Sequence, residues 1–347
     1  MNPRFTALLE NARRLAGVFL LSATLGGCAM LLPQTSELRN AKPADLPDHA
    51  ELKEVPYFPQ DDYQCGPASL AMVLATFKPG ITPEQLVDQV YLPGRQGSLQ
   101  VEMLASARRN GLVAYQLAPR FDHLLREVAA GVPVVVLQDY GVWPVSIWHY
   151  AVVVGYDFPG SRVIMRSGEL ERVEMPFAIL ELTWKDSDYW AMVAVPPDRI
   201  PATANEQSYL AAVSALERIG NTQAARTAYT TALGRWPKNI TARVGLANTH
   251  YALGELAMSE AVLRLGVEQQ PDSVILLNNL AQTLSDLDRN KEALSFADQA
   301  VALGGRFAAS VRETRELILQ RLEKKKADAP PPASTPRKSR SARATKP

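Results

Sequence analysis

From about residue 204 the chain repeats itself every 34 residues. Pro237, Pro271 and Gly305 keep that interval, and so do Gly220 and Gly254. Ala225, Ser259 and Ala293 share it, as do Leu216, His250 and Leu284. A unit of this length cannot bury its apolar face alone, so each must stack on the next. Small residues at one offset mark where paired helices touch, and the Pro marks the end of a unit. The third unit has Asp288 in place of the Gly and ends without a Pro. Phe307, Val311, Leu317, Ile318 and Leu322 then fall on a helical period, as a capping helix requires. His250 shares the stripe of Leu216 and Leu284, which makes it a packed repeat residue rather than a ligand.

These offsets resemble the tetratricopeptide repeat. The resemblance implies an all-α solenoid over 204–323, three units plus a cap, that binds a protein partner.

The region before it, 51–198, is of another kind. Helical patterns come first. One follows Cys65 from Ala68 to Phe77, and Thr82-Pro83-Glu84-Gln85 is a capping box opening a second that runs to about Val90. Ser98 caps a third, ended by Asn110-Gly111, and a fourth covers Asp122 to Ala130. Strand patterns follow at Val132–Leu137, Tyr150–Tyr156, Ser161–Met165, Glu171–Met175 and Trp190–Val195. Helices first and sequential strands afterwards indicate an α+β domain, not a doubly wound sheet.

The net charge of +1 is an average of unlike parts. Residues 1–27 carry +2, residues 324–347 carry +7, and the stretch between carries −8. The basic end, with Pro330-Pro331-Pro332 and almost no apolar residue, reads as a disordered tail. It interleaves no aromatics with its charge, so it is a solvated or membrane-facing arm and no nucleic acid is expected as a partner. The N-terminus places Arg13-Arg14 before the apolar run Leu15 to Leu25, the layout of a secretory signal and too short for a membrane span of ~20 residues. It closes on Leu25-Gly26-Gly27-Cys28, which resembles the bacterial lipoprotein box. That resemblance implies lipidation at Cys28 and membrane attachment by a lipid anchor. With Ala29 next, it also implies sorting to the outer membrane, facing the periplasm. Residues 28–50, carrying Pro33, Pro43 and Pro47, read as a tether.

Two cysteines exclude a disulfide-stapled scaffold and a thiolate-only zinc site. If Cys28 is lipidated, Cys65 has no partner in the chain. It lies in Gln60-Asp61-Asp62-Tyr63-Gln64-Cys65-Gly66-Pro67-Ala68-Ser69-Leu70, where a loop delivers the thiol to the start of a helix. The positive helix end favours the thiolate, the reactive form. Gly66 leaves the backbone N–H open to a developing oxyanion.

This segment resembles the double-glycine peptidases, the papain-like family that processes bacteriocin leaders. A second motif supports the likeness: His149-Tyr150-Ala151-Val152-Val153-Val154-Gly155-Tyr156-Asp157, after the strand Gly131-Val132-Pro133-Val134-Val135-Val136-Leu137. The resemblance covers 51–198 and implies a papain-like cysteine peptidase that needs no cofactor. It assigns Cys65 as nucleophile, His149 as general base and Gln60 as oxyanion donor, with Gln64 the alternative because Gln60 is one residue nearer the Cys than the family pattern. The family's orienting Asp is missing. Its slot falls on Ser167, in Val163-Ile164-Met165-Arg166-Ser167-Gly168. Two readings follow: a Cys–His dyad assisted by Ser167, or a weakened or inactive pseudo-peptidase serving as a protein-binding scaffold. Asp157, the nearest acid in sequence, reads as support for the Phe158-Pro159-Gly160 turn.

The remaining candidates are weaker. His49 lies in the tether and His123 at a helix start without a motif. Trp184, Tyr189 and Trp190 read as packing under the last strand, whereas Trp143 and Trp148 are candidates to line a cleft beside His149. No ligand-spaced histidine pair and no phosphate-binding Gly-rich loop occurs, so neither a metal nor a nucleotide is expected.

Overall fold

The structure, a computed structural model, describes residues 32–60 and 64–328. Cys28, the apolar run before it and most of the basic tail therefore lie outside the described residues. The chain divides into two compact units, one ending at Thr249 and the other starting at His250.

The first unit is an α+β domain followed by repeat helices. Its elements begin with α1 (Pro33–Asn40), β1 (His49–Glu51), α2 (Cys65–Phe77), α3 (Pro83–Val90), β2 (Tyr91–Leu92) and β3 (Gly97–Ser98). Next come α4 (Gln100–Arg109), β4 (Val113–Gln116), α5 (Phe121–Ala129), β5 (Val134–Asp139), β6 (Trp148–Asp157) and β7 (Arg162–Ser167). The domain closes with β8 (Leu170–Pro176), α6 (Phe177–Trp184) and β9 (Ala191–Val195). Thr82 and Gln85 form the expected capping box on α3.

One antiparallel sheet runs β4-β9-β5-β6-β7-β8. β6 outlasts β5, whose pairing ends at Val134↔Val153, and β1 takes over its exposed edge from Gly155 to Asp157. The approach is close there: a Cβ on Gly155 would lie 2.6 Å from the Ala50 carbonyl oxygen. Alternate residues of the central strands serve opposite faces, as the two-residue strand period demands. Val135, Leu137, Val152, Val154, Met192 and Ala194 pack with Leu70, Met72, Val73 and Leu74 of α2. All nine residues from Gly66 to Leu74 are buried, so α2 is a core helix without a solvent stripe. On the other face lie α5 and α6, where Phe121 stacks against Phe177 and Trp184.

Of residues 28–50, expected as a tether, the described part from residue 32 on holds α1 and β1. Glu181 of α6 is fully buried, and its carboxylate accepts the backbone N–H groups of Gln34 and Thr35. A buried carboxylate needs such donors, and the first turn of a helix has N–H groups to spare. The third helix also differs: Ser98 is not its cap but sits in β3, with Leu99 at the cap position. Trp184 and Trp190 are core residues, joined by a 2.8 Å bond from the Trp184 indole to the Trp190 carbonyl. Asp157 accepts the Gly160 N–H at 3.1 Å and so holds the turn, as expected.

The repeat helices are α7 (Glu206–Arg218), α8 (Thr222–Arg235) and α9 (Ile240–Ala252), then α10 (Leu256–Gln269), α11 (Val274–Asp286), α12 (Asn290–Leu303) and α13 (Ala308–Ala327). The period survives its missing glycine. Gly220, Gly254 and Asp288 all take a positive φ, so the same left-handed turn joins each helix pair. Ala225, Ser259 and Ala293 are buried, as are Leu216, His250 and Leu284. In the first unit, Gly245 on α9 admits the Tyr229 ring where a Cβ would lie only 2.3 Å away. In the second unit His250 is a structural residue, 2.6 Å from Glu255. Helix α13 buries Val311 and Ile318, but Leu317 points to solvent, and Lys324 to Ala327, expected in the tail, extend the helix. Among the described residues no helix is long and apolar enough to cross a membrane.

Candidate active site

Cys65 is the first residue of α2, and His149 is the second of β6. Both line one cavity of about 780 Å³, together with Gln60, Ser98, Trp148 and Tyr150. Each stands at the start of its element, and α2 packs on β6, which brings both starts to one cavity.

His149 is held from two sides. Its Nε2 lies 3.0 Å from Ser167 Oγ. The pairing Val152↔Arg166 carries on to set Ser167 opposite Ala151, so His149 is its diagonal neighbour on the same face. The Tyr140 ring stacks over the imidazole, with centroids 5.3 Å apart and 29° between planes. Tyr140 is fixed in turn by its hydroxyl, which donates to Gln138 Oε1 at 3.1 Å, and Gln138 donates to Thr183 Oγ1 at 2.7 Å. With Nε2 engaged by Ser167, Nδ1 is the nitrogen that a proton transfer from the thiol would use; no hydrogen bond joins the two side chains in the structure.

The surroundings of the two groups favour their neutral forms. Burial pushes the Cys65 thiol above its ordinary range, outweighing the backbone hydrogen bonds from Tyr150, Gly66 and Cys65 itself. Burial likewise pulls His149 below the ordinary imidazole value. Burial thus works against the thiolate that the helix terminus favours.

Gln60 lines the cavity, whereas Gln64 is the residue preceding α2. The Gln60 amide donates to Ser69 Oγ at 3.2 Å and to the Tyr150 carbonyl at 3.4 Å, and its Oε1 is buried without a partner. An oxyanion role would require this amide to leave both acceptors. Trp148 lines the cavity as expected. Trp143 does not: it stands at the tip of the β5–β6 loop, 92% exposed.

Sequence reasoning missed Tyr140 and Ser98. A Cβ on Gly66 would lie 2.2 Å from Ser98 Oγ, so Gly66 is required by the approach of β3 to α2. Ser98 Oγ is itself buried and unpaired at the cavity wall. Neither residue belongs to a recognisable motif. A stacked ring and a close approach are long-range facts that a local pattern does not carry.

Residues 52–185 match the Peptidase_C39 like family, and residues 220–284 match the tetratricopeptide repeat. The chain thus has a C39-like α+β domain followed by a helical tetratricopeptide-repeat region. Among solved structures, one described as a C39-like peptidase from Bacillus anthracis aligns at 20% identity and a TM-score of 0.37. The alignment covers 43% of this chain and 98% of that one. The Sgt2 tetratricopeptide domain of Aspergillus fumigatus aligns at 20% identity and a TM-score of 0.34, covering 40% of this chain and 93% of that one. A domain of yeast Sti1, described as a TPR2B-domain:pHsp70 complex, aligns at 18% identity and 0.30, covering 31% and 90%. A comparison with curated proteins returns no match.

Proposed function

We propose that the C39-like domain is a cysteine peptidase acting on a protein or peptide of the bacterial envelope. Cys65 is its nucleophile and His149 its base. The observation that carries this reading is the placement of Cys65 and His149 on one cavity, with His149 bonded to Ser167. In the reaction, His149 takes the Cys65 proton as sulfur attacks the scissile carbonyl carbon. It then returns the proton to the leaving amine, and water hydrolyses the thioester. Because burial works against charge on both partners, proton transfer accompanies attack rather than preceding it in this scheme. The Cys65 backbone N–H and the Gln60 amide are the oxyanion donors of this scheme.

Cys28 is proposed as the lipidated residue, supported by the basic start, the apolar run and Leu25-Gly26-Gly27-Cys28. With Ala29 next, the anchor is proposed to sit in the outer membrane, facing the periplasm. The repeats are proposed to recruit a protein partner or substrate, which raises its local concentration at the peptidase domain.

A second reading is favoured by one observation: the group bonded to His149 is a hydroxyl, not a carboxylate. Under it the domain is a binding scaffold without turnover. A peptide carrying a thiol-directed electrophile separates the two. The peptidase reading expects labelling of Cys65 that is lost in Cys65→Ala and falls at least tenfold in His149→Ala. Labelling of Cys65 no faster than that of a free thiol, and indifferent to His149→Ala, would leave the scaffold.

A further inference from the structure

We infer that the loop joining β5 to β6 is a lipid-inserting finger, which seats the mouth of the cavity on the membrane that Cys28 anchors. The inference rests on the proposed anchor. Its first support is an apolar surface left exposed among the described residues. Val142 is 82% exposed, Trp143 92%, Val145 63% and Ile147 58%. Clustered exposure of this kind marks an interaction surface, unlike scattered single residues. No charged residue occurs between Tyr140 and Trp148.

Part of the loop backbone is paired within the loop, at its base and across its tip. Asp139 Oδ1 accepts the N–H of Gly141 at 2.8 Å and of Ile147 at 2.7 Å. The N–H of Tyr140 goes to the Ile147 carbonyl at 2.9 Å, and that of Val145 to the Val142 carbonyl at 3.0 Å. A Cβ on Gly141 would lie 2.0 Å from the Val145 carbonyl oxygen, so the loop closes tightly on itself. These backbone N–H groups are paired within the loop, and an insertion that left them unpaired would cost several kcal/mol each. Trp and aliphatic side chains at the tip suit the headgroup–acyl boundary.

Position supplies the third support. The Gln34 side chain donates to the Pro119 carbonyl at 3.2 Å, and Pro119 follows the end of β4. That end is beside the start of β9, where Leu117 N–H bonds the Ala191 carbonyl and Leu137 N–H bonds the Trp190 carbonyl. It is the end of the sheet at which β5 passes into the finger. Cys28 precedes Leu32 by four residues, a reach of about 14 Å at most. A lipid on Cys28 would therefore hold this same end against the bilayer.

The alternative occupant, a substrate peptide, is disfavoured because the tip is not part of the cavity. Ile147 and Trp148 line it, but Val142, Trp143 and Val145 do not. The consequence for specificity is that the cavity opens at the bilayer surface and takes membrane-proximal segments.

The test uses the full chain purified from membranes and reconstituted in phosphatidylethanolamine–phosphatidylglycerol vesicles with brominated acyl chains. Bromine is expected to quench tryptophan emission. Trp143→Phe should reduce the quenched component at least threefold, and Val142→Ser/Val145→Ser at least twofold. Quenching unchanged in Trp143→Phe would overturn the finger. So would a Trp143 already shielded from aqueous quencher without lipid, which would point to a second copy or a protein segment as its cover. Release of Cys28→Ala from the membrane, with Trp143 unquenched in the anchored chain, would sink the finger and keep the anchor. Unchanged sedimentation of Cys28→Ala, with Trp143 still quenched, would sink the anchor and keep the finger.

Discussion

Ser167 Oγ lies 3.0 Å from His149 Nε2, so a neutral hydroxyl holds the imidazole in this domain. A hydroxyl fixes orientation and tautomer but adds no negative charge to favour the imidazolium. Ser167→Ala is expected to lower the rate of Cys65 acylation about 10- to 100-fold. Ser167→Asp should restore a carboxylate partner and raise the His149 pKa. Acylation followed from pH 5 to 9 should then show its rise at higher pH than in the native chain, because the base must be neutral to take the thiol proton. An unchanged profile in Ser167→Asp would show that the contact does not tune the base.

The alkylation of Cys65 should keep rising with pH beyond the range where an ordinary thiol levels off. Burial raises this thiol, and only its deprotonated form reacts. Rates with iodoacetamide, read on the Cys65 peptide by mass spectrometry, check this. A plateau near neutrality would mean an ion pair already formed at rest.

His149 also links stability to pH. Its folded pKa lies below the ordinary 6.5, so the folded state prefers the neutral ring. That contribution is present above pH 6.5 and lost as pH falls through the folded value. Unfolding midpoints measured from pH 7.5 to 4.5 should decline more steeply in the native chain than in His149→Gln.

Gly66 and Ser98 should behave as a pair. Gly66→Ala drives a methyl into Ser98 and is expected to cost about 1–3 kcal/mol. Ser98→Ala should not relieve it, because Ser98 Cβ is itself 2.5 Å from the new atom. Ser98→Gly should. Thermal unfolding of the four chains of this double-mutant cycle gives the coupling directly.

Glu127 should be among the least replaceable residues of the first unit. Fully buried on α5, it accepts the N–H groups of Ala202 and Thr203 and the Thr203 hydroxyl. It thereby fixes the connection from β9 to α7. Glu127→Ala leaves these donors without a partner and is expected to cost roughly 3 kcal/mol. Chemical denaturation measures it.

Some of this was legible in the sequence for definite reasons. The 34-residue period fixes helix pairs because one offset imposes one turn, and Asp288 keeps the left-handed turn of Gly220 and Gly254. Cys65 and His149 were legible because each sits in a local motif at the start of an element. α1 was not, since its order comes from Glu181, which lies about 146 residues away and belongs to no pattern around Pro33. β4, only four residues long, was hidden for a similar reason: it exists because β9 pairs with it. The helix end that favours the thiolate is visible in sequence, whereas the burial that opposes it is not.

The place of β9 has a consequence for the order in which the domain is made. The last strand of the sheet lies between β4 and β5, not at an edge. A chain growing from its N-terminus has Cys65, His149 and Ser167 in hand well before residue 191. Yet the sheet has a gap at its middle until β9 enters, and Ser187 beside it is bonded to Leu137. Met192 and Ala194 complete the layer under α2, so until they arrive the reactive thiol has no finished wall behind it. The layer that backs the start of α2 is thus finished only by the last strand to be made.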